Sequence, residues 1–180
     1  MKRNLFILIL TLQSAWVLYM VAVQESALRK GTPILLETER VDPRDLPRGD
    51  YLILNYKISS VPGSLFSPPV ETHLSAGTKV FVALKPDGEF HVVTRASTNA
   101  FRPAAGELLV MGRSTWPMWN RTNSIHVEYG LEKYFVREGT GNPTGKLTVQ
   151  AVVPQSGRAS IKQVFLDGKP YAEAMKEQSR

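Results

Sequence analysis

Cysteine is absent from all 180 residues. Its absence excludes disulfides, thiolate metal sites and cysteine nucleophiles, and is compatible with an oxidising compartment without requiring one. Histidine is nearly as scarce. His73, His91 and His126 are the only three, far apart and without a short metal-ligand spacing. His91 and His126 fall within candidate strands, so ordinary half-buried or surface histidines are expected, and no metal or cofactor. The net charge is +6, falling to +4 when Lys2 and Arg3 are set aside, yet no dense run of lysine or arginine occurs. That pattern gives no nucleic-acid footprint. Outside the cytoplasm it suits a solvated surface or attraction to anionic lipid headgroups.

Nucleotide and paired-carboxylate chemistry are also poorly served. In Gly139-Thr140-Gly141-Asn142-Pro143-Thr144-Gly145-Lys146, a phosphate-binding loop would need glycine where Thr140 stands and Ser or Thr where Leu147 follows. A glycine-rich turn is the expectation. Glu71, Glu128 and Glu132 are scattered and form no pair that spacing alone makes catalytic.

What is present begins with one long apolar run. Asn4 to Val23 is interrupted only by Asn4, Thr11, Gln13 and Ser14. As a helix it would span ~30 Å, about the hydrocarbon thickness of a bilayer. A cleaved signal peptide needs small residues at both −1 and −3. Ser14, Ala15, Ala22, Ser26 and Ala27 could each occupy −1, but their −3 partners are Leu12, Gln13, Met20, Gln24 and Glu25. An uncleaved anchor over residues 4–23 is therefore expected. Lys2 and Arg3 precede it, while Glu25, Arg29 and Lys30 follow. This slight bias favours a cytoplasmic N-terminus and an extracytoplasmic C-terminal domain. Tyr19, with Trp16, would lie toward the outer interface. The expected division is residues 1–30 as N-terminal tip, anchor and juxtamembrane segment, and residues 31–180 as an exported β domain.

That domain reads as short β runs separated by Gly, Pro, Asn and Asp. Candidate strands are Ile34–Thr38, Tyr51–Ser59, Lys79–Leu84, Glu89–Ala96, Glu107–Arg113, Ile125–Tyr129, Lys146–Val153 and Ala159–Leu166. Lys85-Pro86-Asp87-Gly88 and Pro154-Gln155-Ser156-Gly157 are hairpin turn sequences. Leu131 to Val136 is expected as a short helical turn, Ser60 to Ser75 as the longest loop, and the last residues as frayed. Ser114 to Arg121 carries Trp116 and Trp119, which either cover one end of the core or touch a membrane or ligand. The pattern predicts an all-β, mostly antiparallel sandwich or barrel behind one transmembrane helix.

Asp42-Pro43-Arg44-Asp45-Leu46-Pro47-Arg48 leads into Gly49-Asp50-Tyr51-Leu52-Ile53-Leu54-Asn55-Tyr56, a G-D-Y-x-x-L-x-Y sequence. Asp42 suits a helix cap, Pro43 the first turn, and Asp45 can reach back toward free N–H groups. Leu52, Leu54 and Tyr56 share one face of the following strand, and Tyr51, Ile53 and Asn55 the other. Both faces are largely apolar, so a central strand buried on both sides is predicted. Arg44, Asp45, Arg48 and Asp50 crowd the strand's start, as an internal charge-paired brace or as a surface for a partner.

The signature resembles that of the GDYxxLxY family of membrane-anchored bacterial proteins. Thr38 to Tyr56, Val80 to Leu84, Tyr129 to Val136 and Ala159 to Lys169 are all similar to that family. The resemblance implies no particular reaction, but it implies a polytopic membrane partner, because such proteins are often encoded beside multi-spanning ones. The candidate interaction residues are therefore Asp42, Arg44, Asp45, Arg48, Gly49, Asp50, Tyr51, Leu54 and Tyr56.

The alternative is an extracytoplasmic hydrolase. Anchor, β domain and Gly-Asp at a strand start are similar in layout to type I signal peptidases, which pair a serine with a neutral lysine. Their serine position falls on Val41 here and their lysine position on Asn55. Lys57 with Ser59 or Ser60 is the remaining dyad to consider.

Overall fold

The computed structural model describes residues 2–39, 51–69, 74–115, 124–136 and 143–178. Helix α1 (Lys2–Lys30) carries the apolar run. It is long and apolar enough to cross a membrane, and none of that stretch is buried against the rest of the chain. Its side chains from Leu5 to Val23 stand exposed, as a span surrounded by lipid requires. Thr11 returns its hydroxyl to the Ile7 carbonyl at 2.8 Å, which satisfies this polar group within the helix. Arg29 and Lys30 close the helix where cations suit the dipole, and Arg29 pairs with Glu25 at 2.8 Å.

The remainder is a mostly antiparallel β domain, as the alternation predicts. Strands β1 (Thr32–Glu37), β9 (Leu147–Val153), β10 (Ser160–Leu166) and β11 (Lys169–Pro170) form one sheet in the order β1-β9-β10-β11. A second sheet runs β3-β7-β6-β4-β5, from β3 (Ser60–Pro62), β7 (Ser124–Glu128), β6 (Leu108–Thr115), β4 (Lys79–Asp87) and β5 (Phe90–Ser97). A third, two-stranded sheet pairs β2 (Tyr51–Ile53) with β8 (Lys133–Phe135).

Alternate residues of both larger sheets meet in one core. Ile34, Leu36, Val149, Ala151 and Val164 come from the first sheet, and Val80, Val82, Leu84, Val110 and Val127 from the second. Both predicted hairpins form. Asp87 pairs with Phe90 across Gly88-Glu89, and Gly157 bonds back to Pro154 at 2.9 Å before β10 returns along β9. Pro86 lies in β4 beyond Leu84, where pairing with β6 ends, so its missing N–H disturbs no ladder on that side.

The structure corrects three local expectations. Residues 133–135 are strand, not a helical turn, because β8 pairs with β2. The stretch expected as the longest loop holds β3 and a 3₁₀ turn at Gly63–Leu65. The C-terminal segment forms α2 (Tyr171–Gln178) instead of fraying, with Tyr171, Ala174 and Met175 buried. Tyr171 packs edge-on against Tyr134 at 5.8 Å between ring centroids, which holds a helix too short to persist alone.

A cleft braced by the signature strand

The signature strand is not central. β2 pairs only with β8, and beyond it Leu54 N–H donates to the Glu132 carbonyl at 2.8 Å. Only one face is buried. Leu52, Leu54 and Tyr56 are in the core, whereas Tyr51 and Ile53 are half-buried and Asn55 is exposed. The apolar character of the outer face has a local use. Tyr51 lies 6.2 Å from Phe135 across the ladder, with the Lys133 ammonium 5.4 Å from the Tyr51 ring centroid. An aromatic pair capped by a cation can sit at a surface without a second buried layer.

The second signature tyrosine makes the decisive contact. Tyr56 donates its hydroxyl to the Leu131 carbonyl at 2.7 Å. In return Tyr129 donates its hydroxyl to the Ile58 carbonyl at 2.7 Å. Both phenols are buried; burial first, and the Glu132 charge second, push both pKa values far up, so they remain donors. The Glu132 carboxylate accepts the Tyr129 backbone N–H at 2.6 Å. Three bonds, two of them between side chain and backbone in opposite directions, thus fix the 129–132 segment onto residues 54–58, and the fourth closes that segment on itself. Each satisfies a buried polar group that would otherwise cost stability.

That braced segment is one wall of a cleft of about 700 Å³. Tyr129, Gly130 and Glu132 face it, beside Gly112 and Arg113 of β6. The turn of the β9–β10 hairpin supplies Ser156 and Arg158, and the last turns of α1 supply Val23, Gln24 and Leu28. Gly112 allows β6 and β7 to approach. An added Cβ there would stand 2.5 Å from Val127 Cγ1 and 2.7 Å from the Glu128 carbonyl oxygen, closer than van der Waals contact permits. The hairpin turn is tied to β6 by Met111 N–H donating to the Gly157 carbonyl at 2.8 Å.

The charges of the cleft are arranged by strand register. Lys79 on β4 pairs in register with Arg113 on β6, and Arg113 with Glu128 on β7. Arg113 donates one guanidinium N–H to the Gly77 carbonyl at 3.1 Å. Among the described residues no ion pair within 4 Å joins Lys79, Arg113 or Arg158 to a carboxylate.

Other singled-out residues lie elsewhere. Asp42, Arg44, Asp45, Arg48, Gly49 and Asp50 fall outside the described residues, as do Val41, Glu71, His73, Trp116, Trp119 and the Gly139–Asn142 part of the glycine-rich stretch. His91 is half-buried, its Nδ1 has no hydrogen-bond partner among the described residues, and burial lowers its pKa. Lys57 pairs with a carboxylate. Its ammonium is 2.7 Å from Glu37 and its side chain is 60% exposed, unlike the desolvated setting a general-base lysine needs. Ser59 is buried, and Ser60 donates to the Ser124 hydroxyl at 3.1 Å. Glu37 also receives Lys146 at 2.7 Å. The hydrogen bonds from Lys146 and then Lys57 hold its carboxyl below the usual glutamate range.

A long exposed apolar helix followed by an antiparallel β domain, with a cleft where they meet, defines the class: a β module carried on an apolar helix long enough to cross a membrane. The chain belongs to the GDYXXLXY family, whose model, described as GDYXXLXY protein, matches residues 13–164. The match therefore takes in the second half of α1 as well as the braced wall. No curated protein and no solved structure matches the chain.

Proposed function

We propose that this protein is a single-pass accessory module of a bacterial cytoplasmic membrane. Its N-terminus is cytoplasmic, its β domain extracytoplasmic, and it works with a polytopic membrane protein without catalysing a reaction itself. The observation that carries this reading is the cleft, because anchor and β domain build it jointly. A recognition site so placed meets whatever lies beside the anchor at the bilayer surface. One span is too little membrane sequence to form a transport path alone. The lysine and arginine residues before the span favour the orientation, and the dispersed positive charge favours membrane over nucleic acid. Pairing of Lys57 with Glu37 counts against the hydrolase alternative, since a solvated lysine engaged by a carboxylate lacks the desolvated setting of a general base.

The test is affinity purification of the tagged full chain from detergent-solubilised native membranes, beside a control in which the same α1 carries an unrelated β domain. A multi-spanning protein enriched only with the native chain is expected. Recovery of the same proteins by both baits would overturn the reading. Changing Lys57, Ser59 and Ser60 together to alanine should leave recovery intact; loss of the cellular role in that folded variant would restore the hydrolase.

A further inference from the structure

We propose that the juxtamembrane cleft binds a phosphate group, that of an anionic phospholipid headgroup. The proposal rests on the reading that α1 spans the bilayer, and it names the ligand of the same site. Three cations converge on the cleft from three separate elements: Lys79 from β4, Arg113 from β6 and Arg158 from the β9–β10 turn. All three are exposed, and none is neutralised by a carboxylate within 4 Å among the described residues. Lys79 and Arg113 stand side by side in register, an arrangement that repels itself unless an anion lies between or beside them.

Two carboxylates also line the cleft. Glu132 is committed to the Tyr129 N–H at 2.6 Å. Glu128, though opposite Arg113 in register, forms no ion pair with it. The cleft therefore keeps a cationic excess. Arg113 spends one N–H on the Gly77 carbonyl, which fixes its guanidinium and leaves the other donors for the planar, two-pronged contact that phosphate accepts. About 700 Å³ is ample for a headgroup.

Position completes the argument. The apolar run ends at Val23, and Val23, Gln24 and Leu28 form the helix side of the cleft. If the hydrocarbon boundary lies there, the opening is at headgroup depth, with apolar helix surface below it for acyl chains. Isolated surface lysines would give only diffuse attraction to an anionic leaflet. A walled cleft with an oriented arginine gives a discrete site.

The full chain, purified in neutral detergent, is titrated with phosphatidylglycerol, phosphatidylcholine and inorganic phosphate, and bound molecules are counted by native mass spectrometry. One phosphatidylglycerol should bind at least tenfold more tightly than phosphatidylcholine. Changing Lys79, Arg113 and Arg158 together to glutamine should abolish that preference. A charge-matched variant with Lys85, Arg102 and Lys162 changed to glutamine should keep it. If the first variant does not fold, Arg158→Gln alone, on an exposed turn, should weaken binding severalfold. Inorganic phosphate bound with the same dependence, without the lipid, would support the phosphate site and assign it to a free ligand. Equal lipid binding by wild type and cleft variant, or equal loss in both triple variants, would overturn the site. Carbonate extraction of membranes is read separately: a chain released to the supernatant contradicts the anchor, whereas a retained chain with no cleft-dependent binding contradicts only the headgroup site.

Discussion

Tyr56 and Tyr129 hold each other's backbone. Each buried phenol donates at 2.7 Å to a carbonyl close in sequence to the other ring, Tyr56 to Leu131 and Tyr129 to Ile58. The last residue of the signature is thereby a clamp on the wall of the cleft.

Removing either hydroxyl leaves a buried carbonyl without its partner. Tyr56→Phe and Tyr129→Phe should each destabilise the protein by ~1–3 kcal/mol. Because both bonds fasten the same two segments, the double variant should depart from additivity by ~0.5 kcal/mol or more. Chemical denaturation of the three variants checks this, and strict additivity would mean two independent bonds.

The two faces of the signature strand should respond unequally. Leu54 is fully buried, so Leu54→Ala should cost ~2–5 kcal/mol. Tyr51 is half-buried beside Phe135, so Tyr51→Phe should stay within ~0.5 kcal/mol of wild type. Thermal melts of both variants compare them. An unchanged melt for Leu54→Ala would contradict the placement of the buried face.

Why some of this was legible in the sequence follows from particular residues. β1, β4 to β7, β9 and β10 are long enough for alternation to show, and each covers one side of a shared core. β8 was illegible because three residues carry no period, and its partner β2 lies some eighty positions away. The outward Tyr51 and Ile53 made β2 read as buried on both faces; a cation over an aromatic pair is a tertiary fact. In α2 the spacing of Tyr171, Ala174 and Met175 is helical, but eight residues predict little without Tyr134 to pack against. The cleft left no local sign. Its cations at 79, 113 and 158 are brought together only by strand register and a hairpin turn.

Acid should weaken the junction of β1 and β9 through Glu37. Its carboxyl, paired with Lys146 and Lys57, titrates below the ordinary value of 4.5. A depressed folded-state pKa gives stability that is fully present above 4.5 and is lost as pH falls through the lower folded value. Glu37→Gln should therefore melt lower than wild type at neutral pH, and the gap should narrow below pH 4.5. Melting curves between neutral pH and strong acid measure it. A gap that does not change with pH would mean the ion pairs contribute nothing.

The central claim is that α1 spans a membrane and delivers the β domain to the side away from the cytoplasm. The absence of cysteine makes this directly measurable, since an introduced thiol is the only one in the chain. Glu89→Cys places it on the exposed β4–β5 turn, and Lys2→Cys at the start of the helix. Intact cells are treated with a membrane-impermeant maleimide. The account predicts labelling of the cysteine at 89 without lysis, and of the cysteine at 2 only after the membrane is permeabilised. Labelling of position 2 alone in intact cells, or of both positions only after permeabilisation, would contradict it.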